Sequence, residues 1–128
     1  MSLEDLPAPV RAFISEHLSS VEQLEILLLL VSDSSVEWTA QSVYKTVMST
    51  MASVEQRLEN FTAAGFLNKS SDPTPKYRVI LRGEQERTVS DVCRLYRERP
   101  VKIIEAIYQK NRSAAQEFAN AFKFKRDL

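Results

Sequence analysis

The sequence holds two glycines (Gly65 and Gly83), one cysteine (Cys93) and one histidine (His17) in 128 residues. Two distant glycines exclude the Gly-x-Gly-x-x-Gly fingerprint of dinucleotide folds and the phosphate-binding loop, which need glycines in close spacing. One histidine and one cysteine leave no tetrahedral zinc set. A Ser-His-Asp relay would have to use His17, which sits in an ordinary amphipathic stretch and reads as a surface histidine. A lone cysteine closes no disulfide within the chain, which predicts a reducing, cytoplasmic setting. The longest apolar run, Ile26–Val31, falls far short of the roughly 20 residues that cross a bilayer. The acidic opening "MSLEDLPAPV" predicts no signal peptide. The expectation is therefore a protein that is not an enzyme, with no metal, no cofactor and no membrane partner.

What is present suits one ordinary globular domain: 44% of the residues are apolar and 27% charged. The 17 acidic and 17 basic side chains are unevenly spread. Residues 1–52 hold seven acids against two bases, and residues 53–128 ten acids against fifteen bases. That asymmetry permits a basic face for a polyanion.

Val10, Phe13, Ile14 and Leu18 share one helical face, predicting a first helix over 9–18. The tetrapeptide Ser-Val-Glu-Gln then occurs twice, at 20–23 and 53–56, each time with the Ser-x-x-Gln spacing of a capping box. The first copy predicts a helix over about 21–32, apolar almost all round and therefore buried on several sides. Thr39 is a candidate N-cap for a helix over about 40–48, and residues 49–52 read as a short linker. The second copy predicts a helix over 54–64, closed by Gly65 in a left-handed conformation.

Phe66–Lys69 and Lys76–Leu81 read as two strands around "SSDPTP", with Tyr77, Val79 and Leu81 alternating with Arg78, Ile80 and Arg82. From Thr88 the pattern is helical again, and Pro100 is expected to kink or split that segment. The tail places Phe118 and Phe122 four apart, with Phe124 beyond them. These three read as packing residues, and Cys93 as a small buried hydrophobe.

This order of elements is that of a winged helix-turn-helix. The segment "TAQSVYKTVMSTMASVEQRLENFTAAGFL" resembles the helix-turn-helix of MarR-type regulators. The wing "KYRV", "LYRERPVKIIEAIY" and "FANAFKFKRD" are similar to a group of small bacterial winged-helix proteins. The resemblance covers about residues 20–126. The fold class it implies is mainly α with a small β-hairpin wing and a C-terminal helical extension. Residues 1–19 would be an N-terminal helix or arm, 20–83 the winged helix-turn-helix, and 84–128 C-terminal helices for dimerisation.

The resemblance implies a DNA-binding transcriptional regulator, with helix 54–64 in the major groove and a wing around 68–78. Val54, Leu58 and Phe61 face the core on a helical wheel, so Gln56, Glu59 and Asn60 face out as candidate base contacts. Gln and Asn can bond adenine, and Glu can accept from cytosine. Candidate phosphate contacts are Ser49, Thr50, Ser53, Arg57, Lys69, Lys76, Arg78 and Arg82. The candidate dimer seam is Val89, Val92, Tyr96, Ile103, Ile107, Phe118 and Phe122, with Arg94, Arg97, Arg99 and Lys102 on its solvated face. Expected partners are double-stranded DNA and a second copy of the chain, with an unknown small effector or protein partner also open. The alternative is a winged-helix module that binds and regulates a partner protein without touching DNA. Glu55 and Glu59 against Arg57 leave the outward helix with a net negative charge, which favours that alternative.

Overall fold

A computed structural model describes residues 6–109. They are mainly helical with one small antiparallel hairpin. In chain order the elements are α1 (Ala8–His17), α2 (Val21–Ser32), α3 (Ala40–Thr46), α4 (Met51–Ala63), β1 (Leu67–Lys69), β2 (Tyr77–Val79) and α5 (Gly83–Glu98). A further helix, α6, begins at Pro100 and covers the described residues through 109. Among the described residues no helix is long and apolar enough to cross a membrane. Residues 22–87 form one compact unit, and 6–21 together with 88–109 form another.

In the 22–87 unit, α2 is the most apolar helix. Leu24, Ile26, Leu27 and Leu30 are buried, and Glu25 and Ser32 are its exposed residues. Such near-complete coverage is what an all-round apolar helix requires. Thr39 caps α3 as expected: the Ser42 N–H donates to Thr39 Oγ1, and the Thr39 N–H donates back to Ser42 Oγ. The helix ends at Thr46, two residues earlier than its apolar pattern predicted, because Val47 turns extended.

The start of α4 differs from expectation. Thr50, in an extended conformation, accepts from the Ser53 N–H at 3.1 Å and is the N-cap. Met51 and Ala52, read as linker, are therefore helical, and the turn from α3 is the four residues 47–50. Ser53 sits inside the first turn, with its hydroxyl directed elsewhere, so the second Ser-Val-Glu-Gln copy is no capping box. Either hydroxyl could cap, and Thr50 adds most of a turn. In the first copy, Ser20 immediately precedes α2.

The end of α4 follows the glycine. Gly65 has φ of +86°, its N–H donates to the Thr62 carbonyl, and the Phe66 N–H reaches the Phe61 carbonyl. This is a Schellman closure, completed by the apolar contact of Phe61 with Phe66, whose ring centroids lie 5.9 Å apart. Open space surrounds the missing Cβ of Gly65, so Gly65→Ala should cost about 1 kcal/mol through backbone strain alone. Gly65→Asn should cost less; urea unfolding of the two variants checks the order.

The hairpin pairs Leu67 with Val79, Asn68 with Arg78 and Lys69 with Tyr77. Buried Tyr77 and Leu81 alternate with exposed Arg78, Ile80 and Arg82, as the period-2 pattern predicted. Trp38 adds a third member. It exchanges both backbone hydrogen bonds with Tyr77, at 2.8 and 2.7 Å, on the edge of β2 away from β1. Ser70 closes the loop: its hydroxyl donates to Asp72 and accepts from the Lys76 N–H.

In the other unit, α1 buries Val10, Phe13 and Ile14. His17 is half-buried rather than a plain surface residue. Its ring centroid lies 5.0 Å from that of Phe13, and its Nε2 lies 3.5 Å from the Glu16 carboxylate. α5 starts at Gly83, five residues before the expected Thr88, and breaks at Arg99. The residue before a proline disfavours helical geometry, while proline itself is well placed to begin a new helix. Pro100 therefore splits the segment rather than bending it.

Candidate nucleic-acid interface

The orientation of α4 follows from its apolar spacing. Val54, Leu58 and Phe61 are buried, so Glu55, Gln56, Glu59, Asn60 and Ala63 are left exposed. The Gln56 side-chain amide donates to Asn60 Oδ1 at 2.9 Å, an i,i+4 pair lying along the exposed face. Gln56 therefore serves no capping role.

Glu59, expected beside Gln56 and Asn60 as a base contact, is tied to the hairpin. It accepts from Lys69 Nζ at 2.7 Å and from the Tyr77 hydroxyl at 2.9 Å. These two hydrogen bonds, that from Lys69 the larger, hold the Glu59 carboxyl below its usual range. The bond to Glu59 raises Lys69 in turn. Burial, and then the contact with Glu59, pushes the Tyr77 phenol up, so it stays a neutral donor. The register explains the meeting: Lys69 and Tyr77 are directly paired across the hairpin, on one face of the ladder.

A second carboxylate meets the first turns of α4. Glu22, from the start of α2, accepts hydrogen bonds from the Ser49 hydroxyl, from the Ser53 hydroxyl at 2.8 Å and from Arg57 Nε at 3.0 Å. Burial pushes the Glu22 carboxyl up. Ser49, Ser53 and Arg57 together outweigh it and hold the group below its ordinary value.

The expected phosphate contacts thus fall into two groups. Ser49, Ser53, Arg57 and Lys69 are engaged by carboxylates, and Thr50 spends its hydroxyl on the helix cap. Lys76, Arg78 and Arg82, on the hairpin and just beyond it, are exposed and carry no ion pair among the described residues. Close by in the chain, Tyr44 of α3 is partly exposed and Met48, in the turn before α4, is fully exposed.

The expected dimer seam is placed differently. Val89, Val92, Ile103 and Ile107 are already buried in the single chain and Tyr96 is half-buried, so these residues form no exposed stripe. The break at Arg99, expected from Pro100, divides these residues between α5 and α6. Among the described residues of α6, the exposed apolar ones are Val101 and Tyr108, at 63% and 59%. Arg94, Arg97 and Arg99 are exposed, with Arg94 between Asp91 and Glu98, whereas Lys102 is buried and not part of a solvated face. Phe118, Phe122 and Phe124 lie outside the described residues. Burial pushes the half-buried Cys93 thiol up, which makes it a poor nucleophile.

The motif reading gave Glu22, Trp38 and Tyr77 no role at the site. Among the described residues no cluster of His, Cys, Asp and Glu is suited to a metal ion. No protein-family model, no curated protein and no solved structure matches the chain.

Proposed function

We propose that residues 22–87 are a winged helix-turn-helix that binds duplex DNA without catalysis or a cofactor, as a regulator of transcription. The observation that carries the reading is the sequence of elements around α4. A four-residue turn joins α3 to α4, a hairpin follows α4 directly, and Trp38 pairs with that hairpin. A helix-turn-helix places its second helix in the major groove. Here that helix offers the Gln56–Asn60 amide pair, while the hairpin offers Lys76, Arg78 and Arg82 for phosphates. Pairing of two chains would bring two copies of α4 to one duplex, and Val101 and Tyr108 are exposed apolar residues, among the described ones of α6, that could serve that contact.

Selection from a random duplex pool tests the proposal. The wild-type protein should enrich a defined sequence. Gln56→Ala and Asn60→Ala should each change the enriched bases, by the about 1–3 kcal/mol that a good base contact contributes. A protein that retains no duplex at about 50 mM salt would overturn the reading. Exposed Tyr44 and Met48 favour a second reading, a protein-docking module, because aromatic residues and methionine are enriched in such interfaces. That reading requires capture of a partner from nuclease-treated lysate, with no competition by duplex DNA.

A further inference from the structure

Two serine hydroxyls and a guanidinium converge on one point at the start of α4, and the group they hold is a carboxylate of the same chain. Glu22 accepts from Ser49, Ser53 and Arg57, donors that lie 27 to 35 positions away in sequence. Both hydroxyl protons are spent on this carboxylate, and the Arg57 charge is neutralised at 3.0 Å. The same three side chains are what the edge of a recognition helix offers to a backbone phosphate. The carboxylate is only partly buried, at 26% side-chain exposure, as is Arg57 at 25%. Both groups can therefore reach water and exchange partners by side-chain rotation.

We infer that Glu22 is an internal competitor for the DNA backbone, occupying the Ser49–Ser53–Arg57 donors and so lowering affinity for any duplex, whatever its sequence. This rests on the DNA-binding reading above. A phosphate can take these donors only after Glu22 is displaced, and while it stays in place its negative charge opposes the approach of another. The pairing of Lys69 with Glu59 has the same electrostatic sense, but it lies on the hairpin side and is exposed. Glu22 acts at the helix that enters the groove. The residue thus sets affinity without touching a base, and it shifts specific and nonspecific binding alike.

Glu22→Gln tests the inference, because it removes the charge and keeps the shape and a hydrogen-bond acceptor. Equilibrium binding to a random-sequence duplex is measured from about 50 to about 200 mM salt. One additional phosphate contact should steepen the slope of log K against log salt by about 0.9. Across that range the variant should lose roughly threefold to fourfold more affinity than the wild type, while binding more tightly at the low-salt end. The double variant Glu22→Gln with Arg57→Ala should cancel the steepening.

Should Glu22→Gln fail to melt cooperatively, Glu22→Asp carries the test, because the shorter carboxylate retreats from the donors. Its slope should shift the same way by less. An unchanged slope in a folded variant overturns the inference and leaves the DNA reading standing. Weaker binding at every salt concentration overturns it too, since Glu22 would then merely hold α4 and Arg57 in place. No duplex binding by wild type or variant overturns both.

Discussion

Phe61→Ala is expected to remove about 3–5 kcal/mol of stability, the usual cost of truncating a buried phenylalanine to alanine. Phe61 is 1% exposed on the buried side of α4. It is also the residue at which the Schellman closure accepts the Phe66 N–H, and its ring is the apolar partner of Phe66. Truncation leaves a cavity and also removes the contact that fixes the exit of the chain into β1. A domain has only about 5–15 kcal/mol to lose, so this one change removes a large share of the stability. Trp38, the sole tryptophan, pairs with β2 in the same unit and reports on it directly. Urea unfolding followed by its fluorescence should show the midpoint falling sharply. A loss below about 1 kcal/mol, the scale of ordinary surface changes, would contradict the placement of Phe61 in the core.

Arg78→Ala should weaken binding to every duplex sequence alike and make the salt slope less negative by about 0.9. Arg78 stands opposite Asn68 on the exposed face of the hairpin and has no ion pair among the described residues. Its charge is free to release a counterion when phosphate is bound. Lys69, one rung away, is already paired with Glu59. Lys69→Ala should therefore change the slope less, although the two residues carry the same charge and were equivalent in the sequence. Binding curves of the two variants side by side measure the difference. Equal effects would mean that the Glu59–Lys69 pair opens freely and that neutralisation within the fold does not govern this surface.

The features legible in the sequence were those set by near neighbours. Apolar spacing located the buried face of α4, a single glycine its end, and Thr39 the start of α3. Period-2 alternation assigned Tyr77 to the interior and Arg78 to the surface. Legibility failed where two local solutions competed, as at Thr50 and Ser53, which offer the same hydroxyl three residues apart. The candidate surface was legible as to which residues face outward, but not as to which are free. Ser49, Ser53 and Arg57 are engaged by a carboxylate some thirty positions upstream, and Lys69 by one ten positions away on α4. No pattern within a helix or strand encodes such pairs, because they join the start of α2 to α4 and α4 to the hairpin. The burial of Val89, Val92, Ile103 and Ile107 was not legible either, because an apolar helical face reads the same in the sequence whether the chain's own core or a second copy covers it.

In the proposed reading, the surface of α4 and the hairpin meets a nucleic-acid backbone. Titration of the wild-type protein with random-sequence duplex DNA over a range of salt tests it most directly. Lys76, Arg78 and Arg82, without an ion pair among the described residues, predict measurable binding at about 50 mM salt and a linear fall of log K against log salt, with a slope near −2.7 per chain if all three reach phosphate. Absence of binding at that salt concentration, or binding indifferent to salt, would contradict the claim.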